Sequence, residues 1–211
     1  MSTDKSKSLL LFANGEVTSA EIERIRKLNF DQIVAADGGA TNALKFGILP
    51  DVVIGDLDSI TPEIREKLPD AQLLHRPSQE INDLHKALDF CVDSGAVSVT
   101  VLGITGKRFD HSLNNFSVLC HFDQQLNLQI FDANSQIFIV RDKWTFTGKP
   151  GQTVSQIPLG AVAGVTTAGL QWELRNETLG MGVREGCSNV FREAHVRVSI
   201  ESGILLVFVN E

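Results

Sequence analysis

The residues most able to do chemistry in this 211-residue chain are acids at close spacing, led by Asp56-Leu57-Asp58. In an extended segment, residues two apart project to the same side, with Cα atoms roughly 7 Å apart. Both carboxylates can then reach one hard cation, or two neighbouring ones. Mg²⁺ takes oxygen ligands in an octahedral shell and is commonly shared between carboxylates and substrate phosphates. Unneutralised neighbouring carboxylates repel, so a metal is the natural third party. Asp83 is a further candidate ligand, with Lys86 three residues later on the same helical face. The plainer alternative makes Asp56 and Asp58 solvated turn residues and Asp83 an acid favoured by a helix N-terminus.

A second candidate is the segment Gly103 to His111, which carries Thr105, Gly106, Lys107 and Arg108 ahead of an expected helix at Ser112–Phe122. Backbone N–H groups and a helix start can cradle phosphate oxygens. Arg108 can grip them at two points, and Lys107 can add a point charge. The segment has neither the Walker pattern nor the dinucleotide fingerprint. His111 fits a structural hydrogen bond near the helix start better than a catalytic base. His85 is expected on another face, as an exposed residue without a role.

Positioning such groups requires elements that end together. Short β-branched runs alternate with amphipathic stretches through the first two-thirds of the chain, with strands expected at 8–13, 32–36, 52–55, 72–75, 98–102 and 127–131. Helices are expected at 19–28, 39–46, from Thr61-Pro62 and at 82–94. Thr18 and Glu21 form a capping-box signature, Gly47 a helix stop and Pro62 a first-turn proline. Alternation of this kind predicts a parallel sheet with helices on both faces. Ligands of such sheets bind beyond the carboxyl ends of the strands, which is where Asp37, Asp56, Asp58, Asp83 and the Gly103 segment fall. After about Asp132 only short strands separated by turn residues remain, near 137–140, 153–157, 162–166, 194–200 and 204–209, which suits an antiparallel sandwich or small barrel. The expected division is 1–132 and 133–211.

Composition narrows the classes. A net charge of −7 and a pI near 5.2 argue against a nucleic-acid or membrane-surface protein, which needs a basic face. The run Leu9 to Ala13 is too short for a membrane span or signal peptide, so the expected compartment is the cytoplasm. Met1–Ser8 is expected to be a frayed polar tail. Cys91, Cys120 and Cys187 lack metal or disulfide spacing and are expected to be reduced, buried small hydrophobes.

Taken together, Asp37-Gly38-Gly39-Ala40, Pro50-Asp51 with Gly55-Asp56-Leu57-Asp58-Ser59, Asn82-Asp83 with Lys86, and Gly106-Lys107-Arg108-Phe109-Asp110-His111 resemble the thiamine pyrophosphokinase family. Asn114-Asn115, Ser155-Gln156-Ile157-Pro158-Leu159, Thr167 to Trp172 and Gly186-Cys187-Ser188-Asn189 extend the likeness in the same order. The resemblance implies a Rossmann-like α/β catalytic domain followed by a smaller all-β sandwich for thiamine binding and dimerisation. It implies a homodimer with sites at the subunit interface, and the reaction ATP + thiamine → AMP + thiamine diphosphate.

By matching position, the resemblance makes Asp56, Asp58 and Asp83 Mg²⁺ ligands and Asp37, Asp83 and Asp110 active-site acids. Asn82, Lys86, Thr105, Gly106 and Arg108 become ATP and phosphate contacts, and Ser188 and Asn189 the thiamine-contacting pair. The chain departs from the family pattern at Asn82 (commonly Thr), Gln79-Glu80 (frequently Lys-Asp) and Lys107 (often Gly). It also has no clear aromatic counterpart near Leu205-Leu206. A Mg²⁺-dependent phosphate-ester or nucleotide hydrolase and a catalytically silent binding module are the alternatives the same residues allow.

Overall fold

The computed structural model describes residues 7–210, which form two compact units meeting between Ala133 and Asn134. The expected frayed tail falls mostly on residues outside that range. Lys7 and Ser8, within it, already belong to the first strand.

The first unit runs β1 (Lys7–Phe12), α1 (Ser19–Ile25), β2 (Gln32–Ala36), α2 (Gly39–Lys45), β3 (Val52–Gly55), α3 (Pro62–Glu66), β4 (Gln72–His75), α4 (Asp83–Asp93), β5 (Ala96–Leu102), α5 (Phe109–Phe122) and β6 (Asn127–Asp132). Its strands are parallel, in the order β6-β5-β1-β2-β3-β4. Leu9, Leu10, Leu11 and Phe12 are all buried, as a strand covered on both faces must be. On one face Leu10 and Phe12 pack with Ile22 and Ile25 of α1 and Ala40 and Ala43 of α2. Leu84, Ala87, Leu88 and Cys91 form the buried side of α4, which lies against β2, β3 and β5.

Local chemistry sets the helix ends. Thr18 and Glu21 complete the capping box of α1 with both bonds present. Glu21 is fully buried there, and burial raises its carboxyl pKa above the ordinary 4.5. Thr61 caps α3 ahead of Pro62, and the Asn82 side chain caps α4.

The second unit contains β7 (Ser135–Val140), β8 (Lys143–Thr147), β9 (Thr153–Pro158), β10 (Ala161–Ala168), β11 (Glu177–Gly180), β12 (Gly186–Val190), β13 (His195–Ser199) and β14 (Leu205–Asn210). Two antiparallel arrays, β12-β9-β14-β7 and β11-β10-β13-β8, enclose a common core. Leu205, Val207 and Val209 face it from one array, and Val196 and Val198 from the other. The two arrays belong to separate sheets that face each other across this core, rather than one sheet closed on itself, which makes the unit a sandwich and not a barrel.

Several expectations change. α5 begins at Phe109, three residues earlier than expected, so Asp110 and His111 are helical. His85 is partly buried and packs against the His121 and Phe122 rings of α5. Of the cysteines only Cys91 is buried, and burial pushes its thiol pKa up to about 12; Cys120 is half-buried and Cys187 exposed.

Candidate functional site

Strand order reverses at β1: the chain moves outward through β2, β3 and β4, then returns to place β5 and β6 on the other side. A reversal of this kind opens a crevice at the strand ends. Here the loops after β1 and β5 continue pairing beyond their strands. Gly15 N–H donates to Gly103 O and Glu16 N–H to Thr105 O, both at 2.7 Å. Asn42 clamps the first loop, donating to Ala13 O at 2.9 Å and Gly15 O at 2.7 Å. Glycine is required at position 15, because a Cβ there would lie 2.0 Å from Thr105 O. Above this floor lies a cleft of about 190 Å³, lined among others by Asn14, Asn82, Asp83, Lys107, Arg108 and Asn115.

One rim of the crevice is acidic. Carboxylate oxygens of Asp37, Asp56 and Asp58 lie within 4.8 Å of one another. Asp37 follows β2 in a left-handed conformation (φ 41°) and is only 2% exposed. Burial raises its pKa, and the nearby charges of Asp83 and Asp58 raise it further, against a Ser59 hydrogen bond that lowers it. Its Oδ1 is buried without a hydrogen-bond partner in the fold.

Asp56 and Asp58 converge by a route other than the extended one. Leu57 is left-handed (φ 63°), and Asp58 N–H donates to Asp56 Oδ1 at 3.3 Å, so a turn brings them together. Gln79 donates to Asp56 Oδ2 at 3.1 Å, which holds the Asp56 carboxyl below its ordinary pKa. A buried, unpartnered carboxylate oxygen beside two further acids is a donor set that fits a hard divalent cation such as Mg²⁺.

Asp83, expected among the metal ligands, stands next to this trio: a Cβ on Gly55 would touch both Asp37 and Asp83. Its Oδ1 instead accepts from Lys86 Nζ at 2.9 Å, and Lys86 is 3% exposed. Asn82 joins α4 to the crevice floor. Its Oδ1 caps His85 N–H, its Nδ2 donates to Asn115 Oδ1, and Asn115 donates to Ile104 O.

Thr105 lines the cleft but directs its hydroxyl to Asp132 Oδ1 at 2.5 Å. Gly106 turns the loop at φ 108°, where a Cβ would strike Glu16. Arg108 lines the cleft from the N-cap of α5 and binds Asp110 at two points. Those bonds pull the Asp110 pKa down to about 2 and raise that of Arg108.

In the second unit, Ser188 and Asn189 lie in β12, which is irregular between Gly186 and Asn189. Ser188 is exposed and left-handed (φ 57°), with its N–H on Ser155 Oγ at 3.0 Å. Asn189 is buried and holds the backbone of Trp172. Asn14, Asn42 and the strut role of Asn115 were not anticipated. The signal available for the first was Asn14-Gly15, a turn pair directly after a buried strand.

A parallel sheet with acids and cations gathered at its carboxyl edge has the layout of a phosphate-handling α/β enzyme. Residues 27–131 match the model of the thiamin pyrophosphokinase catalytic domain, and 143–205 that of the thiamin pyrophosphokinase vitamin B1 binding domain. The chain belongs to the thiamin pyrophosphokinase family.

Relatives include Thiamine pyrophosphokinase 1 of Oryza sativa subsp. japonica, 28% identical over 90% of this chain and 84% of that protein. Thiamin pyrophosphokinase 1 of Caenorhabditis elegans is 26% identical over 96% and 89%. The fold matches the crystal structure of thiamine pyrophosphokinase from Bacillus subtilis with a TM-score of 0.84 at 22% identity, covering 97% of this chain and 99% of that one.

Proposed function

We propose that the protein transfers the diphosphate group of ATP to the hydroxyl of thiamine, giving thiamine diphosphate and AMP. Family membership supports the reaction, and the convergence of Asp37, Asp56 and Asp58 beside the crevice supports its site. On the same ground Asp37 is assigned to the metal set alongside Asp56 and Asp58, with Asp83 on its border. These residues would hold Mg²⁺, which when bound supplies charge neutralisation to the polyphosphate. The hydrolase alternative gains no support from the relatives.

In the transfer, the thiamine oxygen bonds to the β-phosphorus in line with the departing α-phosphate oxygen. The hydroxyl loses its proton, and AMP keeps the electron pair of the broken bond. The protein contributes mainly positioning and charge. Arg108, oriented by Asp110, stabilises charge on the polyphosphate. Both Asp110 oxygens accept from Arg108, whereas among the described residues Asp83 gives only its Oδ1 to Lys86, so Asp83 rather than Asp110 is assigned to orient the hydroxyl and accept its proton. Lys86 holds Asp83 through its Oδ1 at 2.9 Å. Ser188 and the Asn189-held segment belong to the thiamine side.

The first unit is read as the catalytic domain, Rossmann-like in its strand-order reversal with a fourth strand added beyond β3. The second is read as the thiamine-binding and dimerisation domain of a homodimer. Its exposed Trp172, Met181 and Val183 support that reading, being 59%, 54% and 89% accessible. The three free cysteines support a reducing compartment, the cytoplasm. Among the described residues no helix is long and apolar enough to cross a membrane. The test of the site is Asp58→Asn, which should abolish turnover and leave the circular dichroism spectrum and melting transition intact. Near-normal turnover with Mg²⁺ removes Asp58 from the metal set.

A further inference from the structure

Among the described residues, Lys86, Arg108 and Lys107 are cations at or beside the cleft, and the first two are already neutralised. Lys86 is held by Asp83 and Arg108 by Asp110. Lys107 is different. Its Nζ donates to the neutral side-chain oxygen of Asn14 at 2.8 Å, and among the described residues it makes no ion pair. Asn14 and Lys107 both line the cleft and belong to the two loops zipped together across the β1/β5 crevice. The zipper and the Asn14 contact hold this charge at one place, although the side chain is exposed.

We propose that Lys107 is a nucleotide-contacting residue whose ammonium takes a phosphate oxygen of the AMP portion of the donor. The proposal rests on the diphosphate-transfer reading and follows from position along the rim. Lys107 and Asn14 follow β5 and β1, whereas the acid trio follows β2 and β3. Neighbouring strands are about 4.8 Å apart; the acids lie two or three strand spacings from β5, but the Lys107 ammonium reaches across to Asn14 after β1, one or two spacings from them. A polyphosphate laid along the rim has its transferred phosphates at the acids. The phosphate that stays with the nucleoside then falls to Lys107. When the bond to the β-phosphorus breaks, the bridging oxygen keeps the electron pair and adds negative charge to AMP. A fixed ammonium at that point stabilises the departing group.

The experiment is calorimetric titration of AMP, without thiamine, into the full-length protein, Lys107→Ala and Lys107→Arg. Lys107 is exposed, so Lys107→Ala should keep the fold, and circular dichroism checks it. AMP affinity should fall about tenfold in Lys107→Ala, the scale of one hydrogen bond to a charged group. Lys107→Arg should restore it to within about threefold, since charge matters more here than two-point geometry. Steady-state KM for thiamine should not change. Equal AMP affinity in wild type and Lys107→Ala, or no measurable AMP binding by wild type, overturns the proposal. Thiamine-dependent AMP release by the same wild-type preparation tells the two levels apart. If that release is present while Lys107→Ala binds AMP normally, only the role of Lys107 fails. If it is absent, the diphosphate-transfer reading fails.

Discussion

Asn189 satisfies both backbone polar groups of Trp172 with one side-chain amide: Trp172 N–H donates to Asn189 Oδ1 at 3.1 Å, and Asn189 Nδ2 donates to Trp172 O at 2.7 Å. The same Oδ1 also accepts from Val190 N–H at 2.8 Å. In the proposed thiamine site, a side chain so committed would act through the segment it holds. Asn189→Ala should lower the free energy of unfolding by about 1–2 kcal/mol, because three part-buried backbone groups lose their partner. Urea denaturation measures this, and an unchanged midpoint would show that the clamp contributes nothing.

The zipped loops at the crevice allow no side chain at Gly15. A methyl group there would sit 2.0 Å from Thr105 O, so Gly15→Ala must push the β1 and β5 loops apart. Nucleotide affinity should fall at least tenfold, and stability by about 1–3 kcal/mol, the usual cost of forced overpacking. Titration with ATP and thermal melts test both. A variant with normal ATP affinity would mean that the cleft does not depend on this contact.

Glu21 gives a pH dependence of defined sign. Burial raises its carboxyl pKa in the folded state, so between 4.5 and that higher value the folded protein binds more protons than the unfolded chain. Its contribution is therefore full below pH 4.5 and is lost as pH rises through the folded pKa. Glu21→Gln keeps an oxygen able to accept from Thr18 N–H and removes the titration. Urea midpoints collected upward from pH 4.5 should fall more steeply for wild type than for Glu21→Gln. Parallel curves would contradict this.

Much of the first unit was legible because its signals are local. The Thr18–Glu21 box, Pro62 and the continuous apolar run of β3 each fix an element by themselves. The edge strands of the second unit were not. Lys143–Thr147 alternates Trp144 and Phe146 over only five residues, and β11 and β12 are short, polar and irregular. Such strands are defined by their partners rather than by their own sequence.

In the site, spacing brought Asp56 and Asp58 to one point, but the left-handed turn at Leu57 was hidden, since leucine rarely adopts it. The joining of Asp37 to that pair depends on how β2 and β3 lie side by side, a long-range fact that no local window carries. Lys86 pairing with Asp83 was visible as a helical i,i+3 relation. The commitment of Asn82 to Asn115 was not, because 33 residues separate them.

The most direct measurement of the central claim is product identification by mass after incubating the protein with ATP, thiamine and Mg²⁺. Equimolar AMP and thiamine diphosphate should appear, and only when thiamine and Mg²⁺ are both present. ATP hydrolysis that proceeds equally well without thiamine, or formation of ADP with thiamine monophosphate, would contradict it.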